Sequence, residues 1–265
     1  MIKMQQFWYD FSSMFYRNYI YAVKKPLYIL FNLSTPLIWL LLFGQILAPI
    51  SSIPDFGQSG ADYLLFFAPG VVVMTTLYAS GWSGMALLED IQSGVIEKII
   101  STPSSRSAVI LGNLSYSAAM SVVQALVIVL ISVVIGASGN LTAVSVLAII
   151  LFGYMISVAI SSFSYILALL TRKTVSFVTV LNLTLLPLIM LSSAMMPIRL
   201  LPKWIQFIAA VNPMEWYVRV VRQVWLTGSG IAELYVPMGL IALLAVGGVL
   251  LCAYMFNRTL NNDWR

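Results

Sequence analysis

The sequence predicts an all-α polytopic membrane protein with six transmembrane helices. We also expect an N-terminal amphipathic interfacial helix and a re-entrant segment between helices 5 and 6. Two observations support this fold class. The 265 residues are 60% apolar and only 9% charged, with a mean hydropathy of +0.95, whereas soluble domains carry about 25% charged residues. The few charges separate long uncharged stretches, so lipid is the solvent for most of the chain.

Residues 1–25 are predicted to form a cytoplasmic amphipathic helix. Its aromatic face follows the i, i+3, i+4 spacing of a helix and comprises Met4, Phe7, Trp8, Phe11 and Phe15. An aromatic stripe opposite a charged face is typical of a helix that lies in the membrane interface. The alternative is a helix packed on the bundle.

Six spans follow, at about 27–50, 63–88, 107–135, 141–170, 174–197 and 232–256. Each is long enough to cross the hydrocarbon, which takes about 20 apolar residues. Turn-forming residues between Gly136 and Asn140 divide the uncharged stretch 107–171 into two spans. Small residues that allow close helix approach occur at Gly81-xx-Gly84, Ser157-xxx-Ser161 and Gly247-Gly248.

Polar residues within the spans are few. Four amides lie at or near membrane depth, and we expect them to form interhelical hydrogen bonds rather than to line a path: Asn32, Gln45, Gln124 and Asn182. No Asp, Glu, Lys or Arg lies in the middle of a span, and this disfavours a proton- or sodium-driven carrier.

The basic residues predict the orientation of the chain. Ten of the 14 lie on one side of the spans: Lys3, Arg17, Lys24, Lys25, Lys98, Arg106, Arg172, Lys173, Arg258 and Arg265. The positive-inside rule makes that side cytoplasmic. We therefore expect a multi-pass protein of the cell membrane with both termini in the cytoplasm. The net charge of +5 records this topology and does not indicate nucleic-acid binding.

Rare residue types exclude several kinds of site. Histidine is absent, which excludes imidazole acid/base catalysis and imidazole metal ligands. The single cysteine, Cys252, allows neither an internal disulfide nor a thiolate zinc site. It lies in an apolar run, and we expect a small buried hydrophobic residue there.

The cytoplasmic loop at residues 90–105 begins beside an acidic pair, Glu89 and Asp90. Within it, a short amphipathic helix would place Val95, Ile96, Ile99 and Ile100 on one side and Glu97 and Lys98 on the other. Exposed isoleucines indicate a docking surface. The alternative is a helix folded back on its own bundle.

Residues 198–228 are too apolar for a solvated loop and too rich in proline and charge for a span. A segment that enters the outer leaflet and returns fits this composition, provided that protein covers its irregular backbone. Glu215 and Arg219 are four residues apart and could neutralise one another on a helix. A role of both in gating stays open.

Motifs in these two segments carry a family resemblance. The first set comprises Glu89, Asp90, Gly94, Glu97, Pro103, Ser105, Arg106 and Gly112. The second comprises Pro197, Leu201-Pro202-Lys203-Trp204, Asn212-Pro213 and Arg222. Together they resemble the ABC-2 type permeases of ATP-binding cassette exporters, in particular the daunorubicin-type drug and lipid exporter branch. Glu215-Trp216 and Arg219 depart from the usual family pattern.

The resemblance implies a single ABC-2 transmembrane domain over residues 1–265, with a type V exporter-like fold. It implies a permease that moves an amphipathic drug-like, lipid or glycolipid substrate outward. Two permease copies, expected to be a homodimer, would assemble with two ATPase subunits. The ATPase would bind ATP and Mg, because this chain contains no P-loop motif. We expect this chain to bind no cofactor or metal and to be no enzyme.

The resemblance also assigns roles to residues. The ATPase-coupling set is Glu89, Asp90, Gly94, Val95, Ile96, Glu97, Lys98, Ile99, Pro103 and Arg106. The outer-gate set is Pro197, Pro202, Trp204, Asn212, Pro213, Glu215, Trp216, Arg219 and Arg222. Two alternatives remain: a polysaccharide- or teichoic-acid-type exporter permease, and a membrane-embedded lipid-modifying enzyme that would use Glu89, Asp90 and Glu97.

Overall fold

The computed structural model describes residues 2–24, 26–46, 49, 63–101, 105–137, 139–228 and 234–263. Over these residues the regular structure is entirely helical, which confirms the all-α class. The helices are α1 (Ile2–Lys24), α2 (Pro26–Ile38), α3 (Gly44–Ile46), α4 (Tyr63–Gly81), α5 (Gly84–Gln92), α6 (Val95–Ile100), α7 (Arg106–Val134), α8 (Ala143–Thr171), α9 (Thr174–Met190), α10 (Lys203–Val211), α11 (Pro213–Thr227) and α12 (Tyr235–Asp263). A π-helical turn, Trp39–Phe43, joins α2 to α3.

Four helical segments are long and apolar enough to cross a membrane: Tyr63–Gln92, Arg106–Val134, Ala143–Thr171 and Tyr235–Thr259. Two shorter apolar helices, Asn32–Ile46 and Thr174–Met190, coincide with the first and fifth predicted spans. The described residues therefore form a polytopic helical bundle, whereas the count of six spans stays a prediction. Residues 51–62, between the first two predicted spans, and Pro103 lie outside the described residues.

The turn between α7 and α8 forms where the glycine cluster predicted a break. Gly136 has a φ of 97° and Gly139 a φ of 50°, a left-handed conformation that favours glycine. Thr142 then caps α8, because its Oγ1 accepts a hydrogen bond from the amide of Ser145 at 3.2 Å. This turn returns the chain so that α8 packs beside α7.

Small residues bring the helices of the bundle close together. A Cβ added at Gly84 would collide with the backbone carbonyl of Ser164 on α8. The hydroxyl of Ser157 shares a hydrogen bond of 2.5 Å with Ser121 on α7. These contacts confirm the predicted close approaches there. At Gly247-Gly248 the close approach is made by Gly248, where an added Cβ would lie 3.2 Å from Ser162 Cβ on α8; at Gly247 an added Cβ would meet no heavy atom within 4 Å.

Candidate functional site

At one end of the bundle, α1 is tied to α5 and to the start of α7. The tie includes three hydrogen bonds between described residues. They are Arg17 Nη2 to Asp90 Oδ2 at 2.6 Å, Asn18 Nδ2 to Asn113 Oδ1 at 2.6 Å, and the Ser105 amide to Asp10 Oδ2 at 2.8 Å. Because the first is an ion pair with partly buried side chains, α1 is fastened to the segment that contains the predicted coupling residues.

The aromatic stripe of α1 is divided between the bundle and the surface. The ring of Phe15 meets Tyr116 of α7 edge-on, with centroids 5.7 Å apart. A Cβ at Gly112 would lie 2.7 Å from the carbonyl oxygen of Phe11, so α1 and α7 are in backbone contact. Trp8 is 60% exposed. The alternative of packing on the bundle therefore holds for Phe11 and Phe15, and an interfacial location stays a prediction.

The predicted coupling helix exists as α6. Gly94 adopts a φ of 70°, which ends α5 and starts α6. Ile96 is only 5% exposed and belongs to the apolar core of the bundle. The expectation of an exposed isoleucine surface was therefore wrong for Ile96, and the fold-back alternative applies to it. Glu97 and Lys98 are exposed and form the outward face of α6.

At the opposite end of the bundle, a buried acid lies on α11. Glu215 is 2% exposed, and its Oε2 accepts a hydrogen bond from the Ser193 amide at 2.7 Å. Its Oε1 accepts from Arg219 Nε at 3.0 Å, which confirms the predicted pairing. Arg222 donates to Ser193 Oγ at 3.0 Å and to Ser193 O at 2.7 Å. We name Ser193, Glu215, Arg219 and Arg222 the outer polar cluster.

The Asn-Pro motif fastens the start of α11 to the end of α9. Asn212 Oδ1 accepts from the Met214 amide at 2.9 Å, and Pro213 occupies the first turn, where a missing N–H costs nothing. Asn212 Nδ2 donates to the carbonyl of Leu188 in the last turn of α9 at 2.7 Å, and to the carbonyl of Leu191 just after α9 at 2.9 Å. Trp216 Nε1 donates to Ala210 O at 2.9 Å. The motif therefore fixes the angle between α10 and α11.

The other end of α11 is held by the α7–α8 turn. Trp225 is fully buried, and its Nε1 donates to Ala137 O at 3.0 Å. The Asn140 amide donates to Trp225 O at 2.9 Å, and Ser145 Oγ donates to Val224 O at 2.8 Å. Because α11 is bonded at both ends, it is a fixed part of the bundle and not a solvated loop.

The predicted outer-gate residues divide into two groups. Pro197 precedes a short 3-10 turn, and Pro202 caps α10. On α10 the apolar face points outward, with Trp204 62% exposed and Phe207 77% exposed. The structure brings Glu215, Arg219 and Arg222 together with Ser193, whereas Asn212 bonds to the end of α9. Sequence reasoning missed Ser193, which lies in a run of small residues without charge.

A cavity of about 230 Å³ opens between α1, α2, α4, α5, α7 and α8, and the sequence did not predict it. Asn32 and Gln124 both line it. The Oε1 atom of Gln124 is buried and has no hydrogen-bond partner among the described residues, so the expected interhelical hydrogen bond was wrong there. It was also wrong for Asn182, which donates to Val178 O within its own helix at 3.0 Å. The polar spacing Ser117, Ser121, Gln124 on α7 was a signal for this cavity.

The sequence profile of the ABC-2 type transporter family matches residues 9–226, a range that contains the motifs of both segments. The chain belongs to this family.

Named relatives agree with this assignment. The ycf38 protein of Cyanophora paradoxa, named a transport permease, is 28% identical over 228 residues, covering 82% of this chain and 76% of that protein. The daunorubicin resistance ABC transporter permease protein DrrB1 of Streptomyces coeruleorubidus is 27% identical over 218 residues, covering 79% and 74%. Nodulation protein J of Rhizobium meliloti is 24% identical over 255 residues, covering 95% and 94%.

Family membership fixes the general role of this ABC-2 permease. It is a membrane-embedded transport component and not a catalytic subunit, so the alternative of a lipid-modifying enzyme is wrong. ABC-2 permeases work with ATP-binding subunits. The residue roles within this permease, for coupling and for the outer gate, stay predictions.

Proposed function

We propose that this chain is the permease subunit of an ATP-driven exporter that moves an amphipathic drug-like, lipid or glycolipid substrate outward across the cell membrane. The observation that carries the proposal is the family match over residues 9–226. Similarity to a daunorubicin resistance permease supports an amphipathic substrate. Two copies of this chain would assemble with two ATPase subunits, which bind ATP and Mg.

Helix α6 is the proposed contact with the ATPase. Its outward face carries Glu97 and Lys98, one charge of each sign, which suits a specific polar contact with a partner. On its inner side Ile96 is buried in the core. A force applied to α6 would therefore act on the bundle through packed atoms, because close-packed interiors transmit displacement.

The segment formed by α4 and α5 connects the proposed coupling end to the outer polar cluster. Asp90, near the end of α5, is paired with Arg17 of α1. At the other end of the segment, the ring of Phe66 lies 3.9 Å from the guanidinium carbon of Arg222. Movement of α5 would thereby reach α11, and we propose that α11 with the outer polar cluster forms the outer gate.

The coupling role is tested by charge reversal at Glu97. We expect Glu97→Lys to reduce ATP-driven substrate uptake at least tenfold in vesicles that contain the permease and its ATPase, because the polar contact would become repulsive. Membrane insertion and melting temperature should not change, since Glu97 is exposed.

The matched control is Lys203→Glu, a charge reversal at an exposed position on α10 at the opposite end of the bundle. It should leave uptake and ATPase stimulation within twofold of wild type. Normal uptake and normal ATPase stimulation in Glu97→Lys would overturn the coupling assignment. Absence of ATP-driven uptake of any amphipathic substrate by the wild-type complex would overturn the proposed function itself.

A further inference from the structure

The lining of the cavity described above carries a negative charge. Among its described lining residues, Glu89 is the only one with a formal charge, and none is Lys or Arg. Arg17, next to the lining residue Asn18, already donates to Asp90. The side chain of Glu89 makes no ion pair among the described residues. As far as the described residues go, the cavity therefore offers a carboxylate to a ligand and no cation.

Aromatic side chains surround the space beside this carboxylate. Tyr21, Trp82, Tyr116 and Tyr165 all line the cavity. Aromatic faces attract organic cations, and the attraction is stronger where water is displaced. A carboxylate together with several aromatic rings is suited to an ammonium group on an apolar body.

The opposite end of the cavity presents an unsatisfied acceptor. Gln124 is 5% exposed, and its Oε1 has no hydrogen-bond partner among the described residues. Buried polar atoms are almost always paired, so such an oxygen calls for a donor from a ligand or water. Tyr116 and Gln124 are eight residues apart on α7, which corresponds to about 12 Å along a helix.

Along α7, Glu89 lies nearer to Tyr116 than to Gln124. Its neighbour Asp90 bonds to Arg17 of α1, and the next residue of α1, Asn18, bonds to Asn113, less than one turn before Tyr116. The cavity is therefore elongated, with an acidic end at the surface and a neutral acceptor at depth.

We propose that this cavity binds an amphipathic organic cation, with its ammonium group at Glu89 and a hydrogen-bond donor on its apolar body at Gln124. The proposal rests on the proposed function, because it names the chemical class of the exported substrate. The ammonium group could belong to a free amine or to the headgroup of phosphatidylethanolamine, and the experiment separates these sources.

Three phenols that differ in charge test the proposal on the purified permease in nanodiscs of phosphatidylglycerol. They are tyramine, which is cationic, 4-ethylphenol, which is neutral, and 3-(4-hydroxyphenyl)propanoate, which is anionic. Saturation-transfer NMR titrations give their affinities. We expect tyramine to bind at least tenfold more tightly than either analogue, and Glu89→Gln to abolish this preference while Glu89→Asp retains it.

A second variant tests the deep acceptor. Gln124→Leu should weaken tyramine binding about fivefold but leave phenethylamine, which lacks the hydroxyl, within twofold of wild type. Equal affinities for the three phenols, or tyramine binding unchanged in Glu89→Gln, would overturn the proposal. Exposure of Cys252 to a thiol reagent serves as the folding check for each variant.

A change in the lipid composition of the nanodiscs shows whether the bound ammonium group belongs to a free amine or to a lipid headgroup. If adding phosphatidylethanolamine to the nanodiscs displaces tyramine from wild type, the occupant is the lipid headgroup. If tyramine remains bound, the occupant is a free amine, and both results support the ammonium site. This assay needs no ATPase, so its failure leaves the exporter proposal standing, and failed transport leaves the binding result intact.

Discussion

Replacing Arg222 by methionine removes one of the two cations of the outer polar cluster but keeps most of the apolar stem. The guanidinium makes two hydrogen bonds to Ser193, at 3.0 and 2.7 Å, and lies 3.9 Å from the ring centre of Phe66. At about 1.5 kcal/mol for each hydrogen bond from a charged donor, the two bonds contribute about 3 kcal/mol. The cation–π contact adds about 1 kcal/mol.

A loss of about 4 kcal/mol in the free energy of unfolding should lower the melting temperature by roughly 10 °C, at about 2–4 °C per kcal/mol for a chain of this size. The assay is heating in detergent with a thiol-reactive fluorophore. Cys252 is the single cysteine and is 1% exposed, as the sequence predicted, so it reacts only when the bundle opens.

Arg199→Met is the matched control, because Arg199 is exposed on the 3-10 turn before α10. Exposed substitutions of this kind change stability by about 0.5 kcal/mol or less, so its melting temperature should stay within about 2 °C of wild type. Equal melting temperatures for Arg222→Met and Arg199→Met would refute the reasoning that the outer polar cluster stabilises the bundle.

Two further predictions concern helix contacts. Asp90→Asn weakens the partly buried pair with Arg17, worth about 1 kcal/mol, and should raise amide hydrogen exchange in α1 about fivefold without changing exchange in α12. Protection of α1 equal to wild type would show that the pair does not hold this helix. Gly84→Val forces a side chain against the backbone of Ser164 and should cost about 2 kcal/mol. Gly239→Val, where an added Cβ meets nothing within 4 Å, should melt like wild type; equal destabilisation of both variants would contradict this packing.

Hydropathy and turn chemistry predicted the long helices well. The segments expected at 107–135 and 141–170 appear as Arg106–Val134 and Ala143–Thr171. Both properties act locally: apolar length defines each helix, and left-handed glycines define the turn between them. Gly94, with a φ of 70°, separates α5 from α6 by the same left-handed conformation.

Contacts between residues that are far apart in the sequence could not be predicted from these local properties. The segment expected to continue to residue 197 leaves the helix at Met190, and Ser193 then bonds to Glu215 and Arg222 on α11. Nothing local to Ser193 signals these partners, because they lie more than 20 residues away. The amphipathic pattern of α6 showed that Ile96 needs apolar cover but could not show whether its own bundle or a partner supplies it.

The attachment of α11 at both ends bears on how the protein is inserted during synthesis. The hydrogen-bond partners that hold its two ends, among them Ala137, Asn140, Ser145 and Ser193, precede it in the chain. The ribosome therefore completes these partners before α11 itself, so α11 can dock when it emerges. Glu215 and Arg222 then need not wait unpaired at the translocon for α12, the last helix, to be made.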